Sequence, residues 1–268
     1  MTDSSETTQI ELERSEGWLT IWLNRPESRN ALSDEMLEEL FTALIAVRGD
    51  RSVRGITFRG KGSVFCAGGD LKGFKAMFQG DSQDHKEVLA ASRRAGELFD
   101  LINGMPQVVV MMVHGAAIAG GLGMLCAGDV VVVTRDARFA LTETMLGIPP
   151  AQIAPFVVRR IGLPAARRIM LTAARFDGKA AKKLGLADEV VENEQGLDAA
   201  EAQIRKQVRL CAPGANAATK AILLSADRLD PEAMRGFAAD TFAECMLSDE
   251  GREGIAAFIE KRKPGWSE

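Results

Sequence analysis

Two glycine-dense stretches and one glutamate are the residues of this chain best suited to chemistry. The first, KGSVFCAGGDLKGF from Lys61, follows the strand-like RGITFR of Arg54 to Arg59; the second, HGAAIAGGLG from His114, directly follows the apolar run QVVVMMV. A turn that leads from a strand into a helix leaves backbone N–H groups pointing at whatever sits before the helix. Such a turn serves as a phosphate cradle or as an oxyanion hole. Gly55 to Lys61 fits G-x-x-x-x-G-K, but Gly62 stands where a P-loop needs Ser or Thr for magnesium, and the lysine follows a strand instead of opening a helix. A-G-G-L-G lacks the G-x-G-x-x-G spacing of a dinucleotide site. No G-x-S-x-G nucleophile elbow occurs. An oxyanion hole stays open beside the plainer reading of two tight turns. The glutamate is Glu143, in L-T-E-T-M-L-G. A Glu between two threonines after a short strand is by itself most often a solvated surface residue. Facing an apolar pocket, it would instead have its pKa raised by desolvation and could move protons.

The elements that must position these residues read as follows. Ile10 and Leu12 alternate with polar residues, Ser15-Glu16-Gly17 turns, and Trp18 to Leu23 runs extended, which predicts a hairpin. Asn24-Arg25-Pro26 breaks that strand. Ser33 then caps a helix whose apolar face is Met36, Leu37, Leu40, Phe41 and Leu44. A longer helix is predicted from about Ser92 to Ile102. Val108 to Val113 and DVVVVT are continuous apolar runs of the kind buried on both faces. Asp177 caps GKAAKKL and Gly185 closes it. Beyond about Gly196 the β-branched runs disappear and helical patterns dominate. The expectation is an α/β core of repeated strand–turn–helix units, followed by a helical C-terminal part.

Composition narrows the functional classes. The 268 residues are 46% hydrophobic and 26% charged, enough for a large buried core. A net charge of −4, no tyrosine and no basic stripe with interleaved aromatics argue against a nucleic-acid partner. Cys66, Cys126, Cys211 and Cys245 form no C-x-x-C pair and read as reduced thiols in a cytoplasmic setting. The polar, acidic N-terminus lacks the apolar region of a secretory signal, and no apolar run reaches the roughly 20 residues a bilayer span needs. Cys66 adjoins the first glycine turn, yet nothing links it to His85 or His114, so a small buried thiol is the better reading.

Five blocks carry a family resemblance: LNRPESRNALS from Leu23, FCAGGDLKGF from Phe65, HGAAIAGGLGMLCAGDVVV from His114, ARFALTETMLGI from Ala137 and FIEKRKP from Phe258. In order and spacing they resemble the enoyl-CoA hydratase/isomerase (crotonase) family, from about Ile10 to Pro264. The resemblance implies a crotonase (ClpP-like) α/β fold: a spiral core of ββα units over 9–195 and a helical trimerisation region over 196–268. It also implies an acyl-CoA thioester as substrate, with coenzyme A as part of it, no separate cofactor and no metal. Family members form homotrimers or dimers of trimers. Matched position by position, Ala67 and Gly120 become the oxyanion-hole amides and Glu143 the acid–base group. The resemblance also places Gly68, Gly69, Asp70, Leu71 and Gly121 in the substrate- and CoA-binding set, with Gly68 and Gly69 allowing the sharp turn and Asp70 tying the loop down. Arg25, Arg29, Lys72 and Lys261 become candidates for the CoA phosphates, with Phe258 covering the pantetheine or anchoring the last helix.

One departure from the family pattern bears on mechanism. Water-adding members carry a second Glu one turn into the helix after the oxyanion glycine, and here Gly123 stands in that place. Hydration by Glu143 alone and isomerisation of a double bond through a single proton shuttle both remain. So does a non-catalytic acyl-CoA-binding trimer. The segment LGIPPAQIAPFVVRRIG resembles hydratases of branched, carboxylated enoyl-CoAs, of the isohexenylglutaconyl-CoA type. In it Gln152 either orients water or a substrate carboxylate or caps the next helix.

Overall fold

The computed structural model describes residues 8–70 and 85–267. Its framework is a six-stranded sheet in the order β1-β2-β3-β4-β6-β9. The strands are β1 (Ile10–Ser15), β2 (Trp18–Leu23), β3 (Gly55–Gly60), β4 (Val108–Val113), β6 (Val130–Thr134) and β9 (Glu189–Val191). β1 and β2 form the predicted antiparallel hairpin, and every later neighbour in the sheet is parallel. A smaller sheet, β5-β7-β8, joins Ala116–Ile118, Arg138–Ala140 and Phe176–Asp177.

Both faces of the large sheet are covered, which is what continuous apolar strands require. Val109, Met111 and Val113 of β4 point into the main core, while Val110 and Met112 point to the opposite side. On the main side lie α1 (Asp34–Arg48), α2 (His85–Asn103), α3 (Gly120–Cys126), α4 (Ala154–Ile161) and α5 (Leu163–Thr172), and α6 (Gly178–Lys183) adds Ala181 to the same core. The opposite side is closed by α7 (Glu194–Arg209), whose Leu197, Ala200, Ile204 and Val208 recur at helical spacing and pack on Trp18, Val110, Met112 and Val132.

Local chemistry sets the helix ends. Ser33 accepts from the Met36 N–H, Asp177 from that of Ala180 and Asn193 from that of Gly196, each satisfying one orphan donor. α2 begins at His85, earlier than the Ser92 read from the sequence. Its first turns, KEVLAAS, are largely exposed, so they carry little apolar periodicity to betray them.

The expected division at 195/196 does not coincide with the packing, because α7 is part of the core. The helices that bury no residue are α8 (Pro213–Ser225) and α9 (Pro231–Leu247), and α10 (Asp249–Glu260) buries only Ala257. α8 is tied back to the sheet by Lys220, whose ammonium donates to the Gln107 carbonyl and pairs with Asp129. Among the described residues no helix is long and apolar enough to cross a membrane.

Candidate active site

Both glycine turns sit at the same end of the large sheet and are laced together. The first runs on from β3: Phe65 N–H donates to His114 O at 3.1 Å, Cys66 N–H to Ala116 O at 3.0 Å, and Ile118 N–H back to Cys66 O at 3.0 Å. The sequence gives no sign of β5, which lies inside what reads as a turn and exists because it pairs with β7 and bridges to Cys66. Ala119 ends it at φ 50°, ψ −121°, a conformation costing an alanine about 1–3 kcal/mol. Its N–H is held by the Ala140 carbonyl at 2.9 Å. This bend lets Gly120 open α3, where the first N–H groups have no intrahelical partner.

Ala67 does not supply the second amide. Its N–H is spent on the Arg29 carbonyl at 3.0 Å. The amide that faces Gly120 is that of Gly69, whose nitrogen lies 3.6 Å from where a Cβ on Gly120 would stand. Leu32 brackets Gly69 by donating to Gly68 O at 2.8 Å and accepting from Asp70 N–H at 3.0 Å, while the Gly69 N–H has no partner among the described residues. Gly68 makes the approach possible: it sits at φ 99°, and a Cβ there would lie 2.9 Å from both the Ala119 Cβ and the Ile118 carbonyl. The shift from Ala67 to Gly69 was hidden in the sequence, because backbone donors are interchangeable by residue type and only the hydrogen-bond partners tell them apart.

Arg25 and Asn30 hold this assembly from below. Arg25 donates to the Ala31 carbonyl at 2.7 Å and pairs with Asp70 at 3.2 Å. Two of its five N–H donors are thereby engaged by the loop. Asn30, fully buried at φ 55°, accepts from Arg25 N–H and donates to the Lys61 and Val64 carbonyls. Sequence reasoning passed over Asn30; its signal was an Asn where the chain turns left-handed. Arg29 is exposed, and no ion pair engages it among the described residues. Leu71 and Lys72 lie outside the described residues. Gly121 packs against Cys66, whose O stands 2.5 Å from where a Cβ would be. Cys66 is buried, and burial pushes its thiol up to about 12, which keeps it protonated and unreactive. The His114 ring has its Nε2 2.9 Å from the Gly62 carbonyl, a contact that closes the loop after β3.

Glu143 begins a 3-10 turn, Glu143–Leu146, just past Ala140, which pairs with Ile118 in the small sheet. It therefore emerges beside the strand that leads into Gly120. Its carboxyl is half-buried, and Oε2 has no hydrogen-bond partner among the described residues. Burial raises its pKa above the ordinary carboxylate value.

Gly123 is covered. A Cβ at that position would collide with Ile153 Cγ2 and lie 2.5 Å from Ile153 Cβ, so Ile153 fills the space a side chain there would need. Gln152 does not cap α4, whose N-cap is Ile153 without a side-chain bond; its Nε2 donates to Ser92 Oγ of α2 at 3.0 Å. Phe258 is 85% exposed, so it does not anchor the last helix, and Lys261 ends α10 in a left-handed cap.

A pair of unspent amides beside an unpaired, desolvated carboxyl suits chemistry on a carbonyl compound. The family comparison decides the class: the model for enoyl-CoA hydratase/isomerase matches residues 13–268. The chain belongs to the enoyl-CoA hydratase/isomerase family. Its fold is the crotonase fold. Among solved structures it is similar to Pseudomonas aeruginosa AtuE, with 46% identity and a TM-score of 0.94 over 97% of this chain and 100% of that one. It is also similar to an enoyl-CoA hydratase/isomerase from Marinobacter aquaeolei, at 38% identity and TM-score 0.93 over 97% and 99% of the two chains. Mouse mitochondrial methylglutaconyl-CoA hydratase is 30% identical over 94% of this chain and 80% of its own length.

Proposed function

We propose that this protein hydrates a 2-enoyl-CoA thioester of the branched, carboxylated glutaconyl type. The Gly69 and Gly120 N–H groups hold the thioester oxygen as negative charge develops on it, and Glu143 handles the proton at carbon. The observation that carries the reading is the buried Oε2 of Glu143, without a partner among the described residues, next to the strand that leads into Gly120. A carboxyl so desolvated holds its proton more tightly than a surface one and can return it to an enolate carbon. Two amides aimed at an oxyanion are worth about 3 kcal/mol of transition-state stabilisation apiece. The relatives named as hydratases, methylglutaconyl-CoA hydratase among them, support water addition and the glutaconyl type of substrate.

A second reading, double-bond isomerisation, is favoured by one specific observation. Ile153 covers Gly123, so the second carboxylate of the water-activating scheme has neither a residue nor a volume. Glu143 would then carry one proton between two carbons. The exposed apolar side chains of the C-terminal helices, Leu223, Phe242, Leu247 and Ile259 among them, support assembly into the family's trimer, in which Phe258 and Lys261 could meet a neighbour's ligand.

Incubation of 2- and 3-enoyl-CoA thioesters in heavy-oxygen water, followed by mass spectrometry, tests the proposal. Label in the acyl chain is the expected result. A moved double bond without label favours the isomerase. No change with any thioester, branched carboxylated ones included, contradicts both and favours an acyl-CoA-binding trimer.

A further inference from the structure

Gln152 and Ile153 are neighbours in sequence that engage different helices. Gln152 donates from Nε2 to Ser92 Oγ at 3.0 Å, and a Cβ on Gly96 would collide with its Oε1 and lie 3.0 Å from its Cδ. Ser92 and Gly96 are spaced i, i+4 and share one face of α2. Ile153 rests on Gly123, one turn into the helix that Gly120 opens. α4 begins immediately after this dipeptide, and Glu143 lies ten residues before Ile153 on the same connection. Two glycine sockets, one on each helix, therefore receive two consecutive side chains from the segment that follows the acid–base turn.

We infer that Gln152 and Ile153 form a two-sided wedge that sets the spacing of α2 and α3 and so selects which acyl chains the site accepts. The inference rests on the acyl-CoA reading proposed above. On that reading, a thioester with its oxygen between Gly69 and Gly120 and its reacting carbons at Glu143 sends the rest of its chain past the elements this segment bridges. Both are positioning residues: the Gln152 amide is bound to Ser92 and is not the group that activates water. A wedge of this kind acts on chain fit, where one methylene is worth about 10-fold or more in discrimination.

The test uses saturated acyl-CoA thioesters of increasing chain length, with Kd measured by calorimetry, so that binding is read without turnover. Gln152→Ala removes one side of the wedge, and Gly96→Ala fills its socket and displaces the same side chain. Each is expected to change the ratio of Kd between the longest and shortest thioester by about 10-fold, and the double variant by no more than either alone. Gln152→Glu keeps the length and an acceptor for the Ser92 hydroxyl and should restore the wild-type ratio. With any enoyl-CoA that turns over, the acid limb of kcat set by Glu143 should stay where it is in all variants. Uniform weakening at every chain length, additive effects, or a displaced acid limb overturns the wedge. Should Gly96→Ala fail to fold, Gln152→Ala and Gln152→Glu still decide it. If no thioester binds the wild type, the acyl-CoA reading falls and the wedge with it. If thioesters bind but the length ratio is the same in wild type and variants, only the wedge falls.

Discussion

A carboxyl oxygen buried without a hydrogen-bond donor costs stability, and Glu143 has none among the described residues. Its raised pKa fixes the sign of two effects. The basic form is populated only above that raised value, so activity needing carboxylate should fall on the acid side at a pH above the ordinary carboxylate range. Stability runs the other way: the folded state binds the proton more tightly than the unfolded chain, so Glu143 destabilises the fold increasingly as pH rises through the folded pKa. Glu143→Gln should therefore lower kcat by about 10²- to 10⁴-fold while melting higher than wild type at neutral pH. The gap in melting temperature should close as pH drops below the unfolded carboxylate value. Gly68 is the second decisive residue. Gly68→Ala places a Cβ 2.9 Å from Ala119 Cβ at φ 99°, so it should cost about 1–3 kcal/mol in chemical denaturation and lower kcat/KM by parting the two amides.

At the scale of elements, the contact between α3 and the segment after Glu143 is tight enough to predict. Gly123→Ala overpacks against Ile153 and should cost about 1–3 kcal/mol, with part of the loss recovered when Ile153 is also shortened to Ala. The junction of α8 with the sheet depends on the Lys220–Asp129 pair, whose lysine is half-buried and whose aspartate reaches solvent, and desolvation still draws the lysine down and the aspartate up. Removing only the lysine leaves Asp129 with the Val109 N–H and solvent, and takes a charged donor from the Gln107 carbonyl, so Lys220→Ala should cost about 1–3 kcal/mol in equilibrium unfolding. Much of this architecture was legible beforehand. The hairpin, the Ser33 and Asp177 caps and the doubly buried β4 and β6 follow from alternation, cap chemistry and continuous valine runs. What escaped was set by distant pairing. Among the described residues β5 is three residues held by β7 and Cys66, and the early start of α2 has no apolar stripe. Ala67 and Gly69 are alike as backbone donors until Arg29 claims one of them.

For the whole molecule, the distribution of exposed apolar side chains is the telling feature. α8 and α9 bury nothing within the chain, yet Leu223, Phe242 and Leu247 are each more than three-fifths exposed. Monomers rarely leave so much apolar helix surface to water. Light scattering should return a mass that is a multiple of the 28.9 kDa chain, and Phe242→Glu with Leu247→Glu should reduce it toward the monomer. Recovery of the monomeric mass from the wild type would remove assembly from the account. The sequence pointed to this face only through family resemblance, since a helix that packs on another copy carries the same apolar pattern as one that packs on its own core.

If Gly69, Gly120 and Glu143 together stabilise and protonate a thioester enolate, the proton step is visible whichever way the product then goes. Proton magnetic resonance of 3-enoyl- and 3-hydroxyacyl-CoA thioesters in deuterium oxide reads that step directly. Deuterium is expected to enter at the carbon next to the thioester carbonyl with wild-type protein, slowed by at least about 10²-fold in Glu143→Gln. Absence of exchange with the wild type, or exchange that Glu143→Gln leaves untouched, would contradict it.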